Sequence, residues 1–259
     1  MTLLQAHRGV SSEYPENTMA AFRASVEQGY DLIELDPKHT ADGKFVILHD
    51  KTLARTARDA DGNAPDYAIK DITLQKAQEY EYGSWFAPEF KGEPIPLLSD
   101  VLDFAEQHSD IPIKIDNCWE KFEAPHRNTF LKEIESRGDR VGNVGFTCRT
   151  LECLEIVAKR FPNATLHYDG TDLTKEALDK VAEIAKGHRL VIWVCYDGST
   201  SKWFKGPRAS RELCEFVREY GELGIWILSE KKQLERTLRK YNPDIIETTG
   251  HIKPEWIKS

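Results

Sequence analysis

The sequence predicts an α/β protein, a (β/α)8 barrel of the TIM type, on three observations. Its 259 residues match the length at which such barrels form one domain. Short apolar segments alternate with amphipathic helical patterns eight times along the chain. A glycine-rich dinucleotide fingerprint does not follow the first strand, which disfavours an open doubly wound sheet. We therefore expect a single domain over residues 1–259.

The predicted strands are short apolar segments whose carboxyl ends would meet at one face of the barrel. They cover residues 3–7, 30–37, 111–116, 143–147, 164–168, 190–195, 223–228 and 244–248. Helical periodicity follows them most clearly over residues 17–28, 150–159, 175–185, 211–220 and 230–239. In the first of these helices, Asn17 or Thr18 is suited to the N-cap and Gly29 to the end.

Residues 50–96 interrupt this alternation. The segment lacks a clean helical pattern and is rich in aromatic residues and turn formers, among them Tyr82, Trp85, Gly83 and Gly92. Its aromatic side chains need burial. We expect a small insertion after the second strand and its hairpin, on a loop over the barrel mouth.

The charge, the apolar content and the cysteines of the sequence indicate which binding partners and which cellular location to expect. The net charge of −8 has no basic block to offset it, so we expect no nucleic acid partner. The chain has neither the run of about 18 apolar residues that spans a bilayer nor the pattern of a signal peptide. Five cysteines without a CxxC pair indicate free thiols, not a disulfide framework or a zinc site. We expect a cytoplasmic monomer or homodimer without a membrane span.

Several acidic side chains follow the first strands of the predicted barrel. Glu34 and Asp36 are two residues apart, so their side chains point the same way, and Asp116 ends the next strand. Carboxylates on one side suit one hard divalent cation, Mg²⁺ or Ca²⁺. The structural alternatives are a buried salt-bridge network for Glu34 and Asp36 and an ion pair with Lys114 for Asp116.

His49 requires a separate argument, because too few residues separate it from Asp36 for a parallel crossover. Asp42-Gly43 is a strong hairpin signal. With these two as the loop, Ala41 faces Lys44 and Asp36 faces His49, with Cβ atoms about 5 Å apart. This register predicts that His49 lies beside Asp36 at the barrel mouth, near His7 at the end of the first strand.

Five motifs in order resemble the glycerophosphodiester phosphodiesterase family. They are His7-Arg8-Gly9, Pro15-Glu16-Asn17-Thr18, Glu34-Leu35-Asp36, Asp42-Gly43 and His49-Asp50. The resemblance is dense over residues 6–56 and looser through residues 95–98, Asp116 and Trp226. It implies a divalent metal held by Glu34, Asp36 and a third acidic residue, for which Asp116 aligns.

The same resemblance implies the chemistry and the substrate. His7 and His49 would perform general acid–base catalysis, and Arg8, Asn17 and Trp226 would contact the substrate. The implied reaction is metal-dependent hydrolysis of a glycerophosphodiester to glycerol 3-phosphate and an alcohol, in lipid and glycerol metabolism. For Arg8, the structural alternative is an ion pair with Glu16 or Glu34.

The chain departs from the family pattern at the far side of the site. Where the family has Asn-Ile-Glu-Ile-Lys, this chain has Lys114-Ile115-Asp116-Asn117-Cys118. Aspartate replaces the glutamate ligand and cysteine replaces the lysine, for which Lys121 or Lys114 would have to substitute. Since no base is arranged for Cys118, we do not expect it to be a nucleophile.

Two further departures lie near the ends of the last strands. Trp226-Ile227-Leu228-Ser229 stands for the family's Trp-Thr-Val-Asn, and Thr248-Thr249 for its Thr-Asp. These changes leave two alternatives to the implied reaction. One is a phosphodiesterase for a different diester, such as a sugar phosphodiester. The other is a non-catalytic relative that binds phosphodiesters.

Overall fold

Eight parallel strands close into a barrel in this computed structural model, which describes residues 1–138, 144–202 and 204–258. The strands in chain order are β1 Leu3–Ala6, β2 Leu32–Leu35, β3 Pro37–His39, β4 Phe45–Ile47, β5 Ile113–Ile115, β6 Val144–Cys148, β7 Thr165–Tyr168, β8 Leu190–Cys195, β9 Glu222–Leu228 and β10 Ile245–Thr248. Around the barrel the order is β1-β10-β9-β8-β7-β6-β5-β2, while β3 and β4 form a separate hairpin. The predicted fold class is confirmed.

Helices follow the barrel strands, and one further short helix, Leu74–Ala77, lies in the insertion over residues 50–96. They are α1 Met19–Glu27, α2 Leu74–Ala77, α3 Leu98–Gln107, α4 Ala124–Glu135, α5 Leu151–Arg160, α6 Lys175–Ile184, α7 Arg211–Val217, α8 Lys231–Tyr241 and α9 Glu255–Lys258. Hydroxyl side chains begin several of them by accepting a backbone N–H of the first turn, as N-caps do. These caps are Thr18, Thr73, Thr150, Thr174 and Ser210.

The second predicted strand divides in two. Residues 30–37 were expected to form one strand, but β2 ends at Leu35 and β3 begins at Pro37. The chain bends at Asp36, which carries that residue out of the barrel sheet and into the hairpin. The other barrel strands lie within two residues of their predicted bounds. Residue 143, where the fourth strand was predicted to begin, lies outside the described residues.

The hairpin forms, but its register differs by one residue from the predicted register. Pro37 pairs with Ile47 across the two strands. The amide of Leu48 consequently donates to the carbonyl of Asp36 at 2.9 Å. Asp36 therefore faces Leu48, and the predicted pairing of Asp36 with His49 was wrong.

The length of the loop explains the shift. The amide of Thr40 donates to the carbonyl of Lys44 at 2.9 Å, which leaves a loop of residues 41–43. Gly43 takes a left-handed φ of 70°, as glycine does in three-residue hairpin loops. A bend after β4 then turns His49 back toward the barrel mouth, where it lines the same cavity as Asp36.

The insertion over residues 50–96 packs with residues of β4 and the position after it in a small, separate hydrophobic core. Its members are Val46, Leu48, Leu53, Ala57, Ile69, Ile72, Ala77, Tyr82 and Ile95. The short helix α2 and two 3-10 turns, Ile69–Asp71 and Pro88–Phe90, are its regular elements. The described residues that line the barrel-mouth cavity include none from 50 to 96. The expected position of the insertion over the mouth therefore stays a prediction.

Two expectations from composition concern membranes and cysteines. Within the described residues, no helix combines the length and the apolar character needed to cross a membrane. The five cysteines are free thiols, and four of them are buried.

The first motif, His7-Arg8-Gly9, lies in a tight turn between β1 and α1. Arg8 and Gly9 both have a left-handed backbone, with φ of 59° and 77°. For Arg8 this conformation costs about 1 kcal/mol or more, so the surrounding contacts must hold it. At Gly9 a Cβ atom would lie 2.7 Å from the Cβ of Ala21, because α1 crosses directly against the turn. Only glycine fits this position.

We expect Gly9→Ala to lower the free energy of unfolding by about 3 kcal/mol, from the backbone conformation plus the clash with Ala21. Gly29→Ala is the matched control, because Gly29 has φ of 78° and a Cβ atom added there would meet no described atom within 4 Å. It should lose about 1 kcal/mol. Urea unfolding of both variants measures the difference; equal losses would show that close packing of α1 does not constrain the turn.

Candidate active site

A cavity of about 440 Å³ opens at the carboxyl ends of the barrel strands. Its lining is His7, Arg8, Glu34, Asp36, His49, Lys114, Asp116, Asn117, Lys121, Thr147, Arg149, Asp169, Trp193, Trp226, Ile227 and Glu247. Seven of the eight residues predicted for the site are among these, and Asn17 is the exception. The barrel thus brings together motifs that are far apart in sequence.

Arg8 lies at the centre of the acidic residues. Its backbone N–H donates to Glu34 Oε2 at 2.9 Å, and its Nη1 donates to Glu16 Oε1 at 2.9 Å. Its Nε lies 3.2 Å from Asp36 Oδ2. The structural alternative for Arg8, pairing with Glu16, is therefore present. The side chain also lines the cavity, so these ion pairs hold the guanidinium at the wall where an anion would enter.

Asn17 lies behind the cavity wall. Its Nδ2 donates to Asp36 Oδ2 at 2.9 Å, and its Oδ1 accepts the backbone N–H of Asp36 at 3.3 Å. Asn17 is buried and takes a left-handed φ of 56°, a conformation that asparagine tolerates. The structure uses its carboxamide to orient Asp36, and the predicted contact with substrate stays a prediction.

His7 is enclosed by the first and last barrel strands. Its backbone N–H donates to the carbonyl of Thr248 at 2.8 Å, and its Nε2 lies 4.0 Å from Glu34 Oε2. Burial lowers the pKa of His7 to about 4, although the nearby carboxylate of Glu247 acts in the opposite direction. The imidazole is therefore neutral at physiological pH and is able to accept a proton.

His49 is held by a chain of charged residues. Its Nδ1 lies 2.7 Å from Asp50 Oδ1, and Arg55 Nε donates to Asp50 Oδ2 at 2.6 Å. Arg55 also donates two hydrogen bonds of 2.7 Å to the carboxylate of Glu16. Glu16 also accepts a hydrogen bond from Arg8. This series of contacts therefore connects His49 to the first motif.

Three potential ligand atoms for a cation converge beside Arg8. Asp36, Asp116 and Cys118 each offer one atom, and all three atoms lie within 4.8 Å of one another. Glu34 lines the same cavity but is outside this group of three. Burial raises the pKa of Asp116, and the charge of Asp36 raises it further.

The predicted donor set fits a divalent cation on electrostatic grounds. Burial raises the pKa of Glu34 well above its usual range, and repulsion from Asp36 and other carboxylates adds to this shift. Burial also acts to raise the pKa of Asp36, but Arg8 and then His49 outweigh it and lower the pKa. Arg8 and Lys114 only partly offset the charge of these three crowded carboxylates, and a hard divalent cation would offset it further.

A second buried charge pair lies deeper in the barrel. Lys114 Nζ is 3.0 Å from Glu247 Oε2 and 3.9 Å from the ring centre of Trp193. Gln5 Nε2 also donates to the same carboxylate. The ion-pair partner of Lys114 is therefore Glu247, so the suggested ion pair with Asp116 was wrong.

Comparison with known proteins decides the family. A model of the glycerophosphoryl diester phosphodiesterase family matches residues 7–224. The chain belongs to this family. The match runs from the first histidine motif into β9, so the phosphodiesterase family pattern covers most of the barrel.

Individual phosphodiesterase relatives match over shorter segments. A putative glycerophosphodiester phosphodiesterase of Bacillus subtilis, YhdW, is 44% identical over 97 residues, which are 38% of this chain and 37% of that protein. Mouse glycerophosphodiester phosphodiesterase 1 is 32% identical over 147 residues, 56% of this chain and 42% of that protein. The matched segments thus span less than half the length of these relatives.

Solved phosphodiesterase structures share the fold over the whole chain. A phosphodiesterase of Oleispira antarctica, solved with the product sn-glycerol-3-phosphate, has a TM-score of 0.73 at 18% identity, covering 100% of this chain and 98% of its own. A putative glycerophosphoryl diester phosphodiesterase of Silicibacter pomeroyi has a TM-score of 0.74 at 18% identity, covering 96% and 90%. At this identity the likeness shows the barrel fold.

Several residues of the site were missed from the sequence, among them Arg55, Asp169, Glu247 and Arg149. Arg55 lies in the insertion, and no local pattern connects it to Glu16. Asp169 directly follows β7 and Glu247 is a charged residue inside the apolar strand β10. The last two had a usable signal, because a charged residue at the carboxyl end of a barrel strand points to the site of this phosphodiesterase fold.

The buried carboxyl group of Asp169 provides a test of how burial in the cavity shifts pKa values. Trp226 Nε1 donates to its Oδ1 at 3.2 Å, and burial raises the pKa of Asp169 to about 7. The folded protein therefore releases this proton less readily than the unfolded chain. Stability from the protonated carboxyl is present below about pH 4 and is lost as the pH rises through about 7.

We expect Asp169→Asn to stabilise the protein relative to wild type as the pH increases, reaching about 2–4 kcal/mol at pH 8. The variant should differ little from wild type at pH 4. Urea unfolding at a series of pH values, with chelator present, measures this difference. A constant difference between pH 4 and pH 8 would contradict the raised pKa.

Proposed function

We propose that this chain is a metal-dependent glycerophosphodiester phosphodiesterase, acting as a single barrel domain of residues 1–259 with its insertion at 50–96. The observation that carries the proposal is the convergence of His7, His49, Arg8 and the carboxylates on one cavity. Family membership supports the same reaction class. We also propose a role in cytoplasmic lipid and glycerol metabolism, which the free cysteines support.

Glu34, Asp36 and Asp116 would hold one divalent cation, Mg²⁺ or Ca²⁺ from the chemistry of carboxylate ligands alone. When bound, the cation neutralises charge on the phosphate and helps to orient the attacking group. Asn17 fixes the orientation of Asp36 through two hydrogen bonds, so it is a positioning residue. Arg8 would bind a phosphate oxygen from the cavity wall, held there by Glu16.

His7 and His49 would move the protons of the reaction. One imidazole removes a proton from the attacking hydroxyl or water, and the other gives a proton to the oxygen of the leaving alcohol. His49 Nδ1 is engaged by Asp50, which leaves its Nε2 for this transfer. Trp226 also lines the cavity, where it would contact the organic part of the diester.

One feature of the cavity favours a second candidate, a diester with a polyhydroxy group such as a sugar. The Asp169 carboxylate lines the cavity and is fixed by Trp226. A carboxylate that is held in place accepts hydrogen bonds from hydroxyl groups. A panel of glycerol and sugar phosphodiesters would separate the two candidates by the ratio of their kcat/KM values.

The decisive experiment is release of glycerol 3-phosphate from a glycerophosphodiester by the purified protein, with and without divalent cation. Wild type should turn over only with the cation, whereas His7→Ala and His49→Ala should each lose about 10²–10⁴-fold in kcat. Circular dichroism and Tm provide the check on folding. Near-full activity in both folded variants would overturn the assignment, and binding without turnover would indicate a non-catalytic relative.

Arg55→Met should lower kcat by about 10- to 100-fold while Tm changes little. The reason is that Asp50 then loses its bond to Arg55, and His49 loses its fixed orientation. Arg58→Met is the matched control, since the guanidinium of Arg58 donates to the carbonyl of Ala57 in its own segment. Equal kcat values in the two variants would show that the contacts from Glu16 through Arg55 and Asp50 do not position His49.

A further inference from the structure

We propose that the Cys118 thiolate is a direct ligand of the divalent cation, together with Asp36 and Asp116. The site would then favour a thiophilic cation such as Zn²⁺ over Mg²⁺ or Ca²⁺. The inference rests on the cation site of the proposed function, but it does not depend on turnover. It changes the expected metal, because three carboxylates alone select a hard cation and a sulfur ligand does not.

The backbone places the sulfur beside the two carboxylates. Asp116 directly follows β5, and the next residues form a 3-10 turn, Asn117–Lys121, that contains Cys118. Its Sγ lies 3.3 Å from Asp116 Oδ2 and 3.6 Å from Asp36 Oδ1. The residue that replaces the family's lysine thus lies against the ends of two adjacent barrel strands.

These separations are those of ligands that share one cation. With Zn–S of about 2.3 Å and Zn–O of about 2.1 Å, a tetrahedral angle separates sulfur from oxygen by about 3.6 Å. A right angle would separate them by about 3.1 Å at the same bond lengths. The two sulfur–oxygen distances fall within this interval, so the sulfur lies where it could share a cation with either carboxylate.

A neutral thiol that only donates hydrogen bonds to the carboxylates is the competing explanation of the same contacts. A thiol is a weak donor, whereas a thiolate is a strong ligand for borderline cations. On binding, the S–H bond breaks, a sulfur–metal bond forms, and the proton passes to solvent. No oxidant is required, and the thiol is not consumed.

The test is a titration with Co²⁺, whose bond to a thiolate produces a sulfur-to-metal charge-transfer absorption in the near ultraviolet. Wild type should show this absorption, saturating at one equivalent. Cys118→Ser should abolish it and weaken Zn²⁺ binding by at least about tenfold, with the Mg²⁺ affinity unchanged within about twofold. Cys153→Ser is the matched control, because Cys153 is buried on α5 and should leave the absorption intact.

The outcomes separate this inference from the proposed activity. Co²⁺ binding to wild type without the absorption, no binding at all, or an absorption that survives in Cys118→Ser would each overturn the thiolate ligand. Metal-dependent turnover without the absorption would leave the phosphodiesterase standing and remove the sulfur ligand. The absorption without turnover by any cation would do the opposite. Because the wild-type spectrum alone is informative, the test does not depend on Cys118→Ser folding.

Discussion

The Asp36 carboxylate is buried at the end of β2, and groups from three different segments hold it. Asn17 donates to it from the turn before α1, Arg8 lies against it from the turn after β1, and Cys118 contacts it from the turn after β5. Removing a carboxylate from water is costly unless charges and hydrogen bonds compensate. The positions of these three turns therefore depend on the same buried charge.

The need for compensation explains the strained turn at Arg8. Its left-handed backbone is unfavourable for a residue with a side chain, but it directs the N–H toward Glu34 while the guanidinium reaches Asp36 and Glu16. Glu16 then extends the compensation to Arg55, which donates to Asp50, and Asp50 in turn contacts His49. A backbone cost of about 1 kcal/mol is small beside the cost of an unpaired buried carboxylate.

The local sequence pattern predicted the strands and helices of the barrel well. It predicted the hairpin register and the contacts around the site less well. Apolar strands followed by capped helices recur with a clear period, so β8 matched its predicted bounds and α6 differed by one residue. The hairpin register failed because Asp42-Gly43 suits loops of two and of three residues, and the choice depends on where Asp36 must point. Arg55 had no local signal at all, since its partner Glu16 lies 39 positions earlier in the chain.

The charge balance of the cavity is the physical argument for the cation in the proposed mechanism. Five carboxylates line it, on Glu34, Asp36, Asp116, Asp169 and Glu247, against four cationic side chains, on Arg8, Lys114, Lys121 and Arg149. Lys114 forms an ion pair with Glu247, and Arg8 forms ion pairs with Glu16 and Asp36. With all five carboxyl groups ionised, a phosphodiester anion entering this cavity finds no positive excess, and the proposed cation would supply the missing positive charge. Replacement of the family's lysine by Cys118 deepens that deficit, and a cation bound partly through the sulfur would make it up at the same position.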